Sequence, residues 1–164
     1  ETSWVHWELD DEQRELLAFT ERLIKLRHEH PVFRRRNFFH GREIRGSGIK
    51  DILWLTPEGR EMTDEEWDKS FARCLGVYLA GRALGDRDER GRPVTDDNFL
   101  LLVNAYHEAI DFHLPAISGR DQWQVLLDTC AGHGPRLGGV HDAETTYPLQ
   151  GRSLVLLLER EERV

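Results

Sequence analysis

His28, Glu29 and His30 form the first group whose residue types suggest chemistry, because alternate histidines on a strand face one side and can share a metal. Leu16, Phe19, Leu23 and Leu26 recur just ahead of them at steps of three and four, with Leu17 and Ile24 widening the stripe. That spacing predicts an amphipathic helix over about 11–30, on which residues two apart diverge by about half a turn, so no shared metal is expected. His40, His107, His113, His133 and His141 are scattered without carboxylates at ligand spacing. The run Asp86-Arg87-Asp88-Glu89-Arg90-Gly91, with Asp97 at the twelfth place, imitates a calcium loop. Arg90 takes a ligand position there and no helices flank the run, so a polar turn is expected.

Other chemistries find no carrier. Gly46-Ser47-Gly48 lacks the third glycine of a dinucleotide loop, and neither a Walker sequence nor a Gly-x-Ser-x-Gly elbow occurs. Cys74 and Cys130 have no Cys-x-x-Cys spacing and read as reduced thiols. The chain has 30 acidic residues, and spacing alone does not narrow them to the positioned pair that glycoside hydrolysis requires. The expectation is no catalytic residue, no metal and no cofactor.

The elements that would position any site are mainly strands. Beyond Pro31, which should end the helix, short apolar runs follow one another: 52–55, 75–79, 99–103, 110–114, 123–127 and 154–158, each bounded by Gly, Pro, Asp or Asn. Ile110, Phe112 and Leu114 alternate with Asp111 and His113, as in a half-exposed strand. Six to eight antiparallel strands suggest a two-layer β-sandwich preceded by one helix. Thr63 and Glu66 predict a capped short helix ending near Trp67. Residues 85–97 and 131–146 read as loops, and Arg34-Arg35-Arg36 as a solvated turn.

Composition limits the partners. The 164 residues carry a net charge of −8, which opposes the counterion-release attraction of nucleic acid. No run approaches the roughly 18 apolar residues of a membrane span, and residues 1–10 have no basic-then-apolar leader. A soluble chain of the cytoplasm, with neither nucleic acid nor membrane as partner, is expected.

Asp88-Glu89-Arg90-Gly91-Arg92-Pro93, then Asp96-Asp97, then Leu100-Leu101-Leu102-Val103-Asn104-Ala105-Tyr106-His107-Glu108 resemble the C-terminal part of bacterial glycogen debranching enzymes, isoamylase-type members of the α-amylase-like glycosidases. Further matches follow the same order: Ser3-Trp4 with Trp7, the helix ending His28-Glu29-His30-Pro31, Asp51-Ile52-Leu53-Trp54-Leu55, Glu61-Met62-Thr63-Asp64-Glu65-Glu66-Trp67, and Tyr147-Pro148-Leu149-Gln150-Gly151-Arg152-Ser153. The resemblance implies a fragment. Residues 1–36 would end a catalytic (β/α)8 barrel and 37–164 would form the β-sandwich after it. The nucleophile, acid/base and third carboxylate would all lie upstream, and the partners would be that barrel and, through it, glycogen or branched α-glucan.

Two expectations follow from that implied role. The helix stripe should fold back on the sandwich or pair with a second copy, since leaving it wet forfeits about 1.5 to 3 kcal/mol per large side chain. Direct glucan binding should be weak or absent. Sugars stack on exposed rings, but Trp54, Tyr78 and Trp123 lie in strand runs where packing is the expected role. Trp67, flanked by Asp64, Glu65, Glu66 and Asp68, is the better substrate contact, with Trp4 a second candidate.

Overall fold

Asp10, rather than Asp11, starts the helix. Its carboxylate accepts the Gln13 N–H at 2.8 Å while the Gln13 side-chain oxygen accepts the Asp10 N–H at 3.1 Å, closing a capping box ahead of α1 (Asp11–Glu29). Pro31 then opens a single 3-10 turn, Pro31–Arg34, and His30 before it is extended at φ −111°, as a residue preceding proline should be. The structure is a computed structural model that describes residues 7–43, 48–68, 73–130 and 138–160.

Each of the six apolar runs is a strand. They form β1 (Ile52–Leu55), β2 (Cys74–Leu79), β3 (Phe99–Asn104), β4 (Ile110–His113), β5 (Gln122–Asp128) and β8 (Ser153–Arg160). Two strands lie where no apolar run marks them. β6 (Val140–Asp142) falls inside the stretch expected to be loop, and β7 (Thr146–Leu149) begins at its end. β6 has three residues with Val140 exposed, and β7 contains Pro148, which normally demotes a strand. Pro148 is tolerated because β7 belongs to a two-stranded ribbon, where it stands opposite Asp111 of β4. Residues 131–137 of the expected loop lie outside the described residues.

All pairings are antiparallel. The large sheet runs β1-β2-β3-β8-β5-β6 and the β4-β7 ribbon forms the opposing layer. Alternation divides the strands between two cores. Leu55, Tyr78, Leu100, Leu102, Trp123, Val125, Val155 and Leu157 point from the large sheet toward Phe112, Leu114, Tyr147 and Leu149. Val77, Leu79, Phe99 and Leu156 point the other way, under Phe19 and Leu26 of α1 and Val32 and Phe33 of the turn after it. Gly76 makes the layers meet closely: a Cβ there would lie 2.6 Å from Phe112 Cζ.

The helix docks by only one edge of its stripe. Phe19, Arg22, Leu26 and His30 are half-buried, whereas Leu16 and Leu23 remain exposed with Leu17 and Ile24. The expected fold-back is therefore partial, and a polar contact accompanies it. A bulge between Val125 and Leu127 sets Leu126 outside the regular ladder, and the Arg22 guanidinium donates to its carbonyl at 2.7 Å. That bond ties the middle of α1 to the sheet.

Arg35 is also a correction. It is not in a solvated turn: its side chain is 6% exposed, faces Asp51 at 3.5 Å and covers the Phe39 ring at 4.0 Å. The same Asp51 carboxylate accepts the His40 and Gly41 N–H groups at 2.9 Å each, so one buried acid ties the linker to the start of β1. Among the described residues no helix is long and apolar enough to cross a membrane.

Candidate functional site

Of the aromatic side chains considered for ligand contact, two meet at the surface. Trp54 lies on β1, the edge strand of the large sheet, opposite Val77 and between the inward-facing Leu53 and Leu55. Alternation turns it away from the inter-sheet core and leaves it 37% exposed. Trp67 ends α2 (Asp64–Trp67) and is 49% exposed. A chain reversal after β1 brings them together, with Leu55 bridged to Glu61 and the Met62 N–H donating to the Trp54 carbonyl at 2.8 Å. The rings meet edge to face, centroids 5.3 Å apart and planes 79° apart.

Polar contacts hold this corner. Glu66 accepts the Thr63 N–H at 3.0 Å, as the capping-box pattern predicts, and takes both terminal nitrogens of Arg60 in a two-pronged ion pair. Lys50 meets Glu61 at 2.6 Å. Backbone N–H donation and the Thr63 hydroxyl hold Glu65 below the usual carboxylate range. The other aromatic candidates do not join them. Tyr78 and Trp123 are fully buried, Trp123 donating its indole N–H to the Pro115 carbonyl at 3.0 Å, and Trp4 lies outside the described residues.

The acidic and amide residues of the motifs are used within the fold. Asp88 accepts the Arg90 and Arg92 backbone N–H groups and the Arg92 Nε, all at 2.8 to 2.9 Å. The Arg92 N–H foremost, with its guanidinium and the Arg90 N–H, holds that carboxyl below the usual range. This is the polar turn expected in place of a calcium loop. Asn104, 1% exposed, donates to the carbonyls of Glu108, Leu149 and Gln150 and accepts the Tyr106 N–H. Buried Glu159 accepts from Asn98 at 2.6 Å and Ser118 at 2.7 Å. Burial foremost, with the Glu159 charge beside it, pushes the Tyr78 phenol far up.

Two further features have no clear signal in the sequence. His30, Asp96 and Asp97 place donor atoms within 4.8 Å of one another, yet the Asp96 oxygens already accept from Val32 and Asp97 and face His30. A cleft of about 330 Å3 between the turn after α1 and the 86–94 loop is lined by Arg34, Arg36, Asp86 and Arg87 over Pro31 and Val94. Asp86 there accepts the Arg36 N–H and the Asn37 amide, so it braces the linker.

Residues 51–158 match the family model described as "Isoamylase, C-terminal". Over 158 residues, 96% of this chain, the sequence is 44% identical to the "Glycogen operon protein GlgX homolog" of Mycobacterium tuberculosis, and the match covers 22% of that protein. It is 25% identical to the "Isoamylase" of Flavobacterium over 96% of this chain and 20% of the relative. With the "Glycogen debranching enzyme" of Dickeya chrysanthemi it shares 32% identity over 75% of this chain and 14% of the relative. The chain thus corresponds to about a fifth or less of the length of these relatives.

Proposed function

This chain belongs to the isoamylase C-terminal family, and from that premise we propose that it is the non-catalytic C-terminal part of a cytoplasmic enzyme that hydrolyses α-1,6 branch linkages in glycogen. Residues 1–36 end the catalytic barrel, α1 is its last helix, and residues 37–164 are the sandwich that braces it. The chemistry belongs to the barrel. Here the motif residues Asp88, Asp96, Asn104 and Glu66 all accept or donate within the fold, which suits a brace better than a site for substrate.

The observation that carries this reading is the two-sided apolar surface of α1. Phe19 and Leu26 pack on the large sheet while Leu16, Leu17, Leu23 and Ile24 face away from it, 37% to 64% exposed. A helix apolar on two sides belongs between two bodies. The test uses the product of the whole reading frame beside this chain. Leu16→Asp with Leu23→Asp in the whole enzyme should lower both its melting temperature and its branch hydrolysis, while this chain alone releases no reducing ends from glycogen. Sustained hydrolysis by the chain alone, or indifference of the whole enzyme to the double substitution, overturns the reading.

A further inference from the structure

We propose that the Trp54–Trp67 corner is a contact site for linear α-1,4-linked glucose chains, the outer chains of a branched glucan. The choice of glucan rests on the parent function proposed above; the existence of a site rests on the corner itself. The corner lies on β1, at one edge of the large sheet, and Arg22 of α1 bonds to β5 toward the other. From β1 to β5, whose Leu126 carbonyl holds α1, there are four strand intervals, or about 19 Å. The Arg22 anchor of α1 thus lies well away from the corner.

Two large, partly exposed rings stand there on held backbone. The backbone at Trp54 is held by the β1-β2 ladder and by the Met62 N–H on its carbonyl, and that at Trp67 by the capped α2, with the Arg60–Glu66 pair beside it. The backbone at both rings need not reorder on binding, which favours affinity. Planes 79° apart form a corner rather than a flat platform. An α-1,4 chain curves, so successive glucose units turn their apolar C–H faces through an angle and can lie against two inclined rings. A flat β-1,4 ribbon presents coplanar faces and fits one ring at a time.

The surrounding charge narrows the ligand further. Between residues 58 and 68 stand Glu58, Glu61, Asp64, Glu65, Glu66 and Asp68 against Arg60, with Lys50 paired to Glu61 from outside the segment. That excess repels phosphates and other anions, while carboxylates accept hydrogen bonds from sugar hydroxyls. A neutral polyol with one apolar face satisfies both demands.

The experiment titrates this chain with maltoheptaose and, separately, cellohexaose, following the indole N–H signals of its five tryptophans by nuclear magnetic resonance. Saturable shifts confined to Trp54 and Trp67 are expected with maltoheptaose, with cellohexaose about tenfold weaker or silent. Trp67→Ala should weaken binding about tenfold and Trp67→Phe less, with the buried Trp123 signal unmoved as the check on folding. Unshifted Trp54 and Trp67 signals, equal response to the two sugars, or unchanged affinity in Trp67→Ala each overturn the proposal. So does an enzyme-length protein in which both indoles resist oxidation by N-bromosuccinimide without sugar, because the corner is then covered by the rest of the polypeptide. Failure here leaves the parent reading standing if the whole enzyme still debranches glycogen and depends on Leu16 and Leu23.

Discussion

His30 Nδ1 lies 2.9 Å from Asp96 Oδ1, joining the residue that ends α1 to the loop that enters β3, and the second Asp96 oxygen accepts the Val32 N–H at 3.0 Å. His30 and Asp96 are 66 positions apart, and their side chains are 19% and 6% exposed. The His30 ring also stands edge-on to Phe99, centroids 4.7 Å apart. One carboxylate therefore anchors the helix terminus, satisfies a backbone donor beside the buried Val32 and seats an aromatic cluster.

Asp96→Ala removes all of this while leaving the Val32 N–H without its acceptor. The expected loss is about 2 kcal/mol in urea unfolding. Amide exchange should rise over the second half of α1 more than in β3, because β3 keeps its ladders on both sides. A uniform rise across the sheet would contradict this local anchoring.

Gly76 predicts a second local effect. Its missing side chain leaves room for the Phe112 ring, which a Cβ would meet at 2.6 Å, with Leu55 Cβ at 3.3 Å. Gly76→Ala should destabilise by about 1 to 3 kcal/mol through overpacking. Adding Phe112→Leu should return part of that loss, giving a favourable coupling energy in a double-mutant cycle. Simple additivity of the two losses would show that the close approach is not what requires glycine.

Much of this arrangement is legible in the sequence, and the exceptions share a cause. Runs such as 99–103 and 154–158 declare buried strands by length and flanking turn residues, and Thr63 with Glu66 declares a helix start. Such signals are local. The bond from Arg22 of α1 reaches a carbonyl 104 positions away that lies at a bulge, and no periodicity encodes that. The exposure of Trp54 depends on β1 being an edge strand. Its partner Trp67 could be singled out from an acidic, capped turn, but their meeting requires the reversal that bridges Leu55 to Glu61. Arg35 reads as solvated because its neighbours are charged; only the fold reveals Asp51 and Phe39 around it.

The thiols should separate kinetically. Cys130 is exposed, whereas Cys74 is buried and its thiol is pushed up from its ordinary 9.0 to about 11, by burial first and by the Glu58 charge second. A disulfide reagent near pH 8 should modify Cys130 quickly and Cys74 only as the chain opens. Because the folded value is the higher one, this group's stabilising contribution is complete below pH 9.0 and lost as pH rises toward about 11. Cys74→Ala should reduce the alkaline slope of stability in that interval. Equal labelling rates in the native chain would contradict the burial of Cys74.

The exposed side of α1 gives the last prediction. Leu16, Leu17, Leu23 and Ile24 leave a contiguous apolar strip on this chain in water, and covering it recovers about 1.5 to 3 kcal/mol for each side chain fully buried. At high concentration the isolated chain should therefore self-associate through this strip, and Leu17→Lys with Ile24→Lys should keep it monomeric in light scattering without lowering its melting temperature. The two positions touch neither core, so the folded monomer loses nothing by the change. Arg22→Met is the informative companion. It deletes the bond to the Leu126 carbonyl while keeping much of the aliphatic stem, freeing the roll that keeps Leu16 and Leu23 outward. In that variant the helix can turn its leucines onto the sheet, so self-association should fall while Phe19 becomes more exposed. If Arg22→Met and the native chain associate equally, the roll of α1 is set by its apolar contacts and the arginine is incidental.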